Sequence, residues 1–226
     1  MGALNKISLF SSLSETQCGE LEKKLITRTY NENELILDFE DQSSDVLFIT
    51  SGKVRVLYRS VLGREVILAD LAEGDFFGEL SAIDGKGRSA NVTALQRTEI
   101  SRLSSSEFLE LATTVPQIAK EILNVLVSRI RALDLRFSEM SVLKTNERLY
   151  AELLRLSQPR RSNKEERIIS PPPFHHHLAG RIGCRREVVS REISALTKVG
   201  ILEKTRGGLV ILDVAELEGR IAAALN

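Results

Sequence analysis

The apolar positions change their spacing three times along the chain. In residues 1–30, Leu4, Ile7, Leu9, Phe10, Leu13, Leu21, Leu25 and Ile26 recur as they would on short amphipathic helices. From about residue 31 to 104 the pattern breaks into short runs rich in Val, Ile and Leu. These are Leu35–Leu37, Val46–Ile49, Val54–Tyr58, Val66–Leu68, Asn91–Leu95 and Glu99–Leu103. Turn-forming stretches separate them: Asn31-Glu32-Asn33, Ser51-Gly52, Leu62-Gly63, Glu73-Gly74-Asp75 and Asp84–Gly87. Short strands at nearly even spacing predict an antiparallel barrel or jelly roll.

A helical period then takes over. Pro116 opens a stretch without Gly or Pro that runs to Gln158. Ile118, Ile122, Val125, Arg129, Leu133, Arg136, Met140 and Leu143 recur at steps of three or four, which predicts one unbroken helix. An apolar seam of this length suits pairing with a second copy; packing against the barrel is the other account, and both can hold on different faces, while the two arginines depart from an ideal zipper. Residues 158–167 are polar and charged and predict a loop. Pro171-Pro172-Pro173 is stiff, so a helix is expected to begin at Phe174. Leu178, Ile182, Val189, Ile193 and Leu196 fit two short helices broken at Gly183, with Ala179 small enough for them to cross closely. The second is expected over about Arg185–Val199. Ile201–Lys204 and Leu209–Leu212, joined by Arg206-Gly207-Gly208, read as a β-hairpin.

Charge adds what periodicity cannot. The chain is formally neutral, but residues 31–110 hold 8 Lys and Arg against 15 Asp and Glu, whereas residues 157–212 hold 11 against 5. A basic segment in a neutral protein points to a polyanion partner for that segment, or to a solvated basic face. No apolar run approaches the roughly 18 residues needed to cross a bilayer. The residues after Met1 lack the basic-then-apolar pattern of a signal peptide, so a cytoplasmic location is expected. Two cysteines, Cys18 and Cys184, are too few and too far apart for a disulfide framework, a zinc ribbon or a four-cysteine cluster.

Two constellations carry candidate chemistry. In the barrel segment, Gly78-Glu79-Leu80-Ser81 precedes Arg88-Ser89-Ala90. Glycine permits close backbone approach, a carboxylate can accept from a diol, and an arginine beside a hydroxyl and free N–H groups can hold a phosphate. Together they suit a sugar phosphate, and a plain Arg–Glu surface pair would account for the same residues. In the C-terminal segment, Arg185, Arg186, Glu187 and Arg191 fall at the start of the second helix of a helix-turn-helix, where Arg can read guanine O6/N7 and Glu can accept from cytosine N4. A helical hairpin with a basic face is the blander account.

In that order and separation, Gly74-Asp75-Phe76-Phe77-Gly78-Glu79-Leu80, Arg88-Ser89-Ala90 and Arg186-Glu187-Val188-Val189-Ser190-Arg191 resemble the cAMP receptor protein/fumarate–nitrate reductase regulator superfamily of bacterial transcription factors, cyclic-nucleotide-binding branch. The resemblance spans nearly the whole chain. It implies an α+β protein with an N-terminal antiparallel β-roll domain over residues 1–115, a long dimerisation helix and hinge over 116–145, and a winged helix-turn-helix domain over 146–226. Glu79 is then expected to take the ribose 2′-hydroxyl, and Arg88 and Ser89 the cyclic phosphate. Gly78, Leu80, Ser81 and Ala90 complete that cassette, and Val56 and Leu71 line the pocket. The base would lie near Arg129, Leu133 and Asp134. Arg185, Arg186, Glu187, Arg191 and Arg206 are expected to meet DNA, with TGTGA-like half-sites in a palindrome. Where the cAMP receptor protein carries two hydroxyl residues on the long helix, this chain has Leu133-Asp134. An ionised Asp only accepts, and guanine offers adjacent N1–H and N2–H₂ donors, so cGMP stands beside cAMP as an expected effector. Exposure of Asp134 to solvent, or its pairing with Arg131 or Arg136 on the helix surface, would remove that preference.

The resemblance further implies a homodimer through 116–145, double-stranded DNA as partner, RNA polymerase meeting residues 157–168, and no enzymatic activity. The hinge, around Ser138–Asn146, is expected to turn the DNA-binding domains when effector binds. The remaining alternatives are a regulator of the same family with a vestigial pocket or another effector, and a hydrolase using His175-His176-His177. Adjacent residues on a helix diverge by about 100° and cannot converge on one ion, so no metal site is expected there. With no histidine before residue 175 and only two cysteines, neither haem nor an iron–sulfur cluster is expected.

Overall fold

The computed structural model describes residues 3–60 and 63–225. Met1, Gly2 and the Leu62 half of the Leu62-Gly63 turn lie outside the described residues. The structure divides into two units at Arg129/Ile130, within one continuous helix.

The first unit opens with two 3₁₀ turns, Ala3–Lys6 and Ser8–Phe10, and α1 (Glu15–Lys24). Ser14 caps α1 in a reciprocal capping box with Gln17. Then come β1 (Ile26–Tyr30), β2 (Leu35–Leu37), β3 (Val46–Ser51), β4 (Lys53–Arg59), β5 (Glu65–Ala72), β6 (Phe76–Phe77), α2 (Glu79–Asp84), β7 (Asn91–Ala94), β8 (Thr98–Leu103) and α3 (Ser105–Thr114). Two antiparallel four-stranded sheets result, ordered β1-β8-β3-β6 and β2-β7-β4-β5. The register of β3 explains its unbroken apolar run. Val46 and Phe48 enter a cluster with the N-terminal turns, Phe76 and Phe108, while Leu47 and Ile49 enter a second with Phe77, Val54 and Ile100. Side chains alternate across a strand, so a strand buried on both faces must be apolar throughout.

The helix α4 spans Pro116–Val142, and Ile118 and Ile122 bury against the first cluster. The second unit takes α4 from Ile130 onward. It continues through α5 (Thr145–Leu156), β9 (Gln158–Pro159), β10 (Arg167–Ile169), α6 (His175–Ile182), α7 (Arg186–Lys198), β11 (Leu202–Lys204), β12 (Leu209–Ile211) and α8 (Val214–Leu225). A third antiparallel sheet, β11-β12-β10-β9, closes this unit beside a core built from Leu149, Leu153, Leu178, Val189, Ile193 and Leu217. No described helix is long and apolar enough to cross a membrane.

Three expectations need correction. The helix from Pro116 does not run to residue 158; it stops at Val142 and restarts at Thr145. Leu143 is buried and Lys144 is extended (φ −67°, ψ 169°), so core packing rather than Gly or Pro makes the break. The charged stretch expected as a loop contains paired strands, with Arg167 opposite Pro159 and Ile168 opposite Gln158. Residues 26–30, expected as helix, form β1, because Ile26–Tyr30 pair with Thr98–Arg102 of β8. All of these are tertiary choices that local propensity does not make.

Candidate functional site

The sugar-phosphate candidate grows from β6. Phe76 and Phe77 are buried and pair with Phe48 and Leu47 of β3. The chain then turns at Gly78, in the left-handed region (φ 87°), into α2. A Cβ on Gly78 would lie 2.6 Å from Arg88 Nη1 and 2.9 Å from the Asp45 carbonyl oxygen, so both conformation and space require glycine there. Glu79 follows and is 2% exposed. Arg129 Nη1 of α4 donates to Glu79 Oε1 at 2.6 Å, and Arg129 Nη2 donates to the Phe76 carbonyl at 2.6 Å. The same guanidinium lies 5.4 Å from the Phe76 ring centre. Glu79 Oε2 is buried with no hydrogen-bond partner among the described residues.

Arg88 is buried beside this turn. Its Nε donates to Ser43 Oγ at 3.0 Å, Nη1 to the Gly78 carbonyl at 3.0 Å and Nη2 to the Asp45 carbonyl at 2.8 Å. These bonds use three of the five N–H groups of a guanidinium. Burial pushes its pKa below the usual arginine value, against the pull of Asp45, Asp41 and Glu79. Ser81 is buried and donates to the Gly87 carbonyl at 3.3 Å, bracing the loop that delivers Arg88. Ser89 is exposed at the end of that loop, and Ala90 is buried as β7 begins. Val56 and Leu71 are half-buried against the cluster containing Phe77, whereas Leu80 is exposed.

The fold therefore joins Gly78, Glu79, Ser81, Arg88 and Arg129, separated by up to 51 positions, around one carboxylate and two guanidiniums. Leu133 and Asp134 are exposed on the stretch of α4 that belongs to the second unit. Ser43 and Asp45, which hold Arg88, had no local signal, because they lie more than forty residues before it.

In the second unit, α6 and α7 flank Gly183 (φ 67°) and bury Leu178, Ala179, Ile182, Val189, Ile193 and Leu196. Helix α6 starts one residue after the expected Phe174, which becomes its N-cap. Arg185, Arg186, Glu187 and Arg191 are exposed around the start of α7, and Arg206 is exposed in the turn of the β11–β12 hairpin. His175 Nδ1 lies 2.7 Å from Ser190 Oγ, joining α6 to α7. Burial, then Lys204 and Arg186, pushes the pKa of His175 below the usual histidine value. His176 and His177 pack on each other and on Phe174.

Two family models match these halves. Residues 27–114 match the cyclic nucleotide-binding domain, and residues 147–220 match the Crp-like helix-turn-helix domain. A curated relative, the cyclic AMP receptor protein of Thermus thermophilus, is 31% identical over 194 residues, covering 84% of this chain and 86% of the relative. The chain belongs to the cAMP receptor protein/fumarate–nitrate reductase regulator family.

Family members are transcription regulators, and this chain is a cyclic-nucleotide-binding type with a helix-turn-helix for DNA. It is also similar to the cAMP-activated global transcriptional regulator Vfr of Pseudomonas aeruginosa, at 27% identity over 77% of this chain and 84% of that one. Among solved structures, the c-di-GMP-responsive regulator CLP of Xanthomonas campestris superposes with a TM-score of 0.74 at 21% identity, covering 86% and 98% of the two chains. A CooA mutant of Carboxydothermus hydrogenoformans superposes at 0.78 and 20% identity, covering 92% of each. At those identities the two structures establish the family's fold for this chain.

Proposed function

We propose that this regulator binds cAMP or cGMP at Glu79 and Arg88 and, as a homodimer paired through α4, reads a palindrome of TGTGA-like half-sites. The observation that carries the nucleotide reading is Glu79 Oε2, a buried acceptor without a partner beside a glycine that keeps the backbone clear. A buried, unsatisfied carboxylate oxygen is costly, and a ribose hydroxyl is a fitting donor. Arg88 and Ser89 would hold the phosphate, and Val56 and Leu71 the apolar edge. Arg129 already grips the other oxygen of Glu79, so a change at this carboxylate reaches α4 directly.

On α4, Leu123, Val127, Ile130, Leu133, Phe137 and Met140 are exposed apolar residues at steps of three and four, which supports pairing with a second copy. Asp134 lies within that run and, as an acceptor, favours a base with paired donors. On the DNA side, Arg185, Arg186, Glu187 and Arg191 would meet base edges and backbone, and Arg206 a neighbouring phosphate. Two recognition helices about 34 Å apart would fit successive major grooves. The effector must bind the DNA-competent state more tightly for any shift to follow. The β9–β10 hairpin and its turn are the surface offered to RNA polymerase. This reading places the protein in the cytoplasm and assigns it no catalytic step.

Calorimetric titration of the nucleotide-free protein with cAMP and cGMP in parallel tests the proposal. Preference for cGMP supports Asp134 as the base-reading residue, and preference for cAMP leaves the base held by packing. Saturation by neither overturns the nucleotide reading and favours a vestigial pocket or another effector.

A further inference from the structure

The second unit contains a charge cluster that the nucleotide and DNA sites do not use. Glu152 lies on α5, where Leu149, Tyr150 and Leu153 form core, and it is 1% exposed. Three guanidiniums converge on it from three helices. Arg155 of α5 pairs with its Oε2, Arg181 of α6 with Oε1 at 3.4 Å, and Arg136 of α4 with Oε1 at 4.0 Å. Arg155 also reaches back to Glu139 of α4. Burial works against the charge on Arg155, and Glu152 and Glu139 outweigh it, holding its pKa above the usual arginine value.

The cluster spans the break at Leu143–Lys144. Around that break, Arg148 of α5 donates to the Met140 carbonyl at 3.3 Å, and a Cβ on Gly183 would lie 3.3 Å from Met140 Cε. The segment expected as the hinge thus carries contacts from α5 and from Gly183. Burying a carboxylate among arginines is a poor route to stability, since well-packed apolar residues of similar volume often do as well or better. What such a cluster supplies is a fixed geometry. Here that geometry relates the end of α4 to α6, which packs directly on the DNA-reading helix α7.

We propose that Glu152 is a positioning residue: with Arg136, Arg155, Arg181 and Glu139 it latches α5 and α6 onto the last turns of α4, which fixes one orientation of the DNA-reading helices on that end of α4. The functional part of this inference rests on the reading of the chain as a nucleotide-regulated DNA-binding protein.

The test uses the full chain with Glu152→Gln and Glu139→Ala. The second variant leaves the three guanidiniums on Glu152 and keeps the experiment decisive if the first does not fold. Hydrogen–deuterium exchange is read at the amides of Leu143 and Arg148, which bond to Glu139 O and Lys144 O. Affinity for a duplex carrying the TGTGA-type palindrome is read with and without saturating cAMP or cGMP. The expected result is at least tenfold faster exchange at the junction with the β-roll amides unchanged, and at least a fivefold smaller nucleotide-dependent gain in DNA affinity. Wild-type exchange at the junction in the folded variants overturns the latch. Faster exchange with an undiminished gain overturns the positioning role. If the wild-type protein itself shows no nucleotide-dependent gain, the functional reading fails, and the exchange result alone decides the latch.

Discussion

Gly78 concentrates two constraints in one position, a φ of 87° and two neighbours closer than 3.0 Å to any added Cβ. Gly78→Ala should cost about 1–3 kcal/mol from the backbone alone, and more from displacing Arg88; chemical denaturation checks the stability and titration the nucleotide affinity. Arg129→Met should destabilise the first unit by about 3 kcal/mol, because it strands a buried carboxylate, whereas an isolated surface pair would cost well under about 1 kcal/mol. Arg88→Ala should lower effector affinity by at least about 2 kcal/mol. It should also lower stability without effector, since the side chain ties Ser43, Asp45 and Gly78 together. His175 gives a pH dependence of definite sign. Its folded-state pKa lies below the unfolded value because of burial, Lys204 and Arg186. Its protonation therefore opposes folding. That contribution to stability is complete above about pH 6.5 and is lost as pH falls below it. His175→Gln should flatten this part of a melting-temperature profile between pH 5 and 7, and an unchanged profile would rule His175 out as the cause.

At the scale of elements, α7 is the clearest case of pattern becoming structure. Apolar steps at Val189, Ile193 and Leu196 bury in the core of the second unit, and Arg186 and Arg191 are exposed. Arg186→Ala should cost about 1–3 kcal/mol on the cognate palindrome and relax discrimination there; equal loss on random duplex would mean that Arg186 touches phosphate alone. The central strands were legible for the same reason, because their apolar runs match registers buried on one or both faces. β1, β9 and β10 were not legible. Thr27, Arg28 and Thr29 carry little apolar signal, and Gln158–Pro159 and Arg167–Ile169 become strands through partners that the local pattern does not reveal. The interruption of the long helix was equally hidden, since neither Gly nor Pro marks Leu143–Lys144.

For the whole molecule, a neutral total conceals an acidic sensor segment and a basic DNA-binding segment, so the attraction to a polyanion is local. Phe137 is 75% exposed within the apolar stripe on α4. Phe137→Glu should shift the protein from dimer to monomer in sedimentation and weaken binding to the full palindrome more than to a single half-site. A dimer undisturbed by this substitution would place the subunit interface elsewhere.

The amino-acid pattern alone was sufficient for the central strands of the first unit, the two helices that flank Gly183 and the hairpin that follows them. Those features follow from local backbone freedom and from periodicity, which are written in neighbouring residues. Only the folded chain decided what those side chains touch. Arg88 is held by Ser43 and Asp45, Glu79 by Arg129, and Glu152 by arginines from three helices. Buried charges take whatever partners packing brings within reach, and most of these lie tens of residues away in the chain, beyond the range of any local pattern.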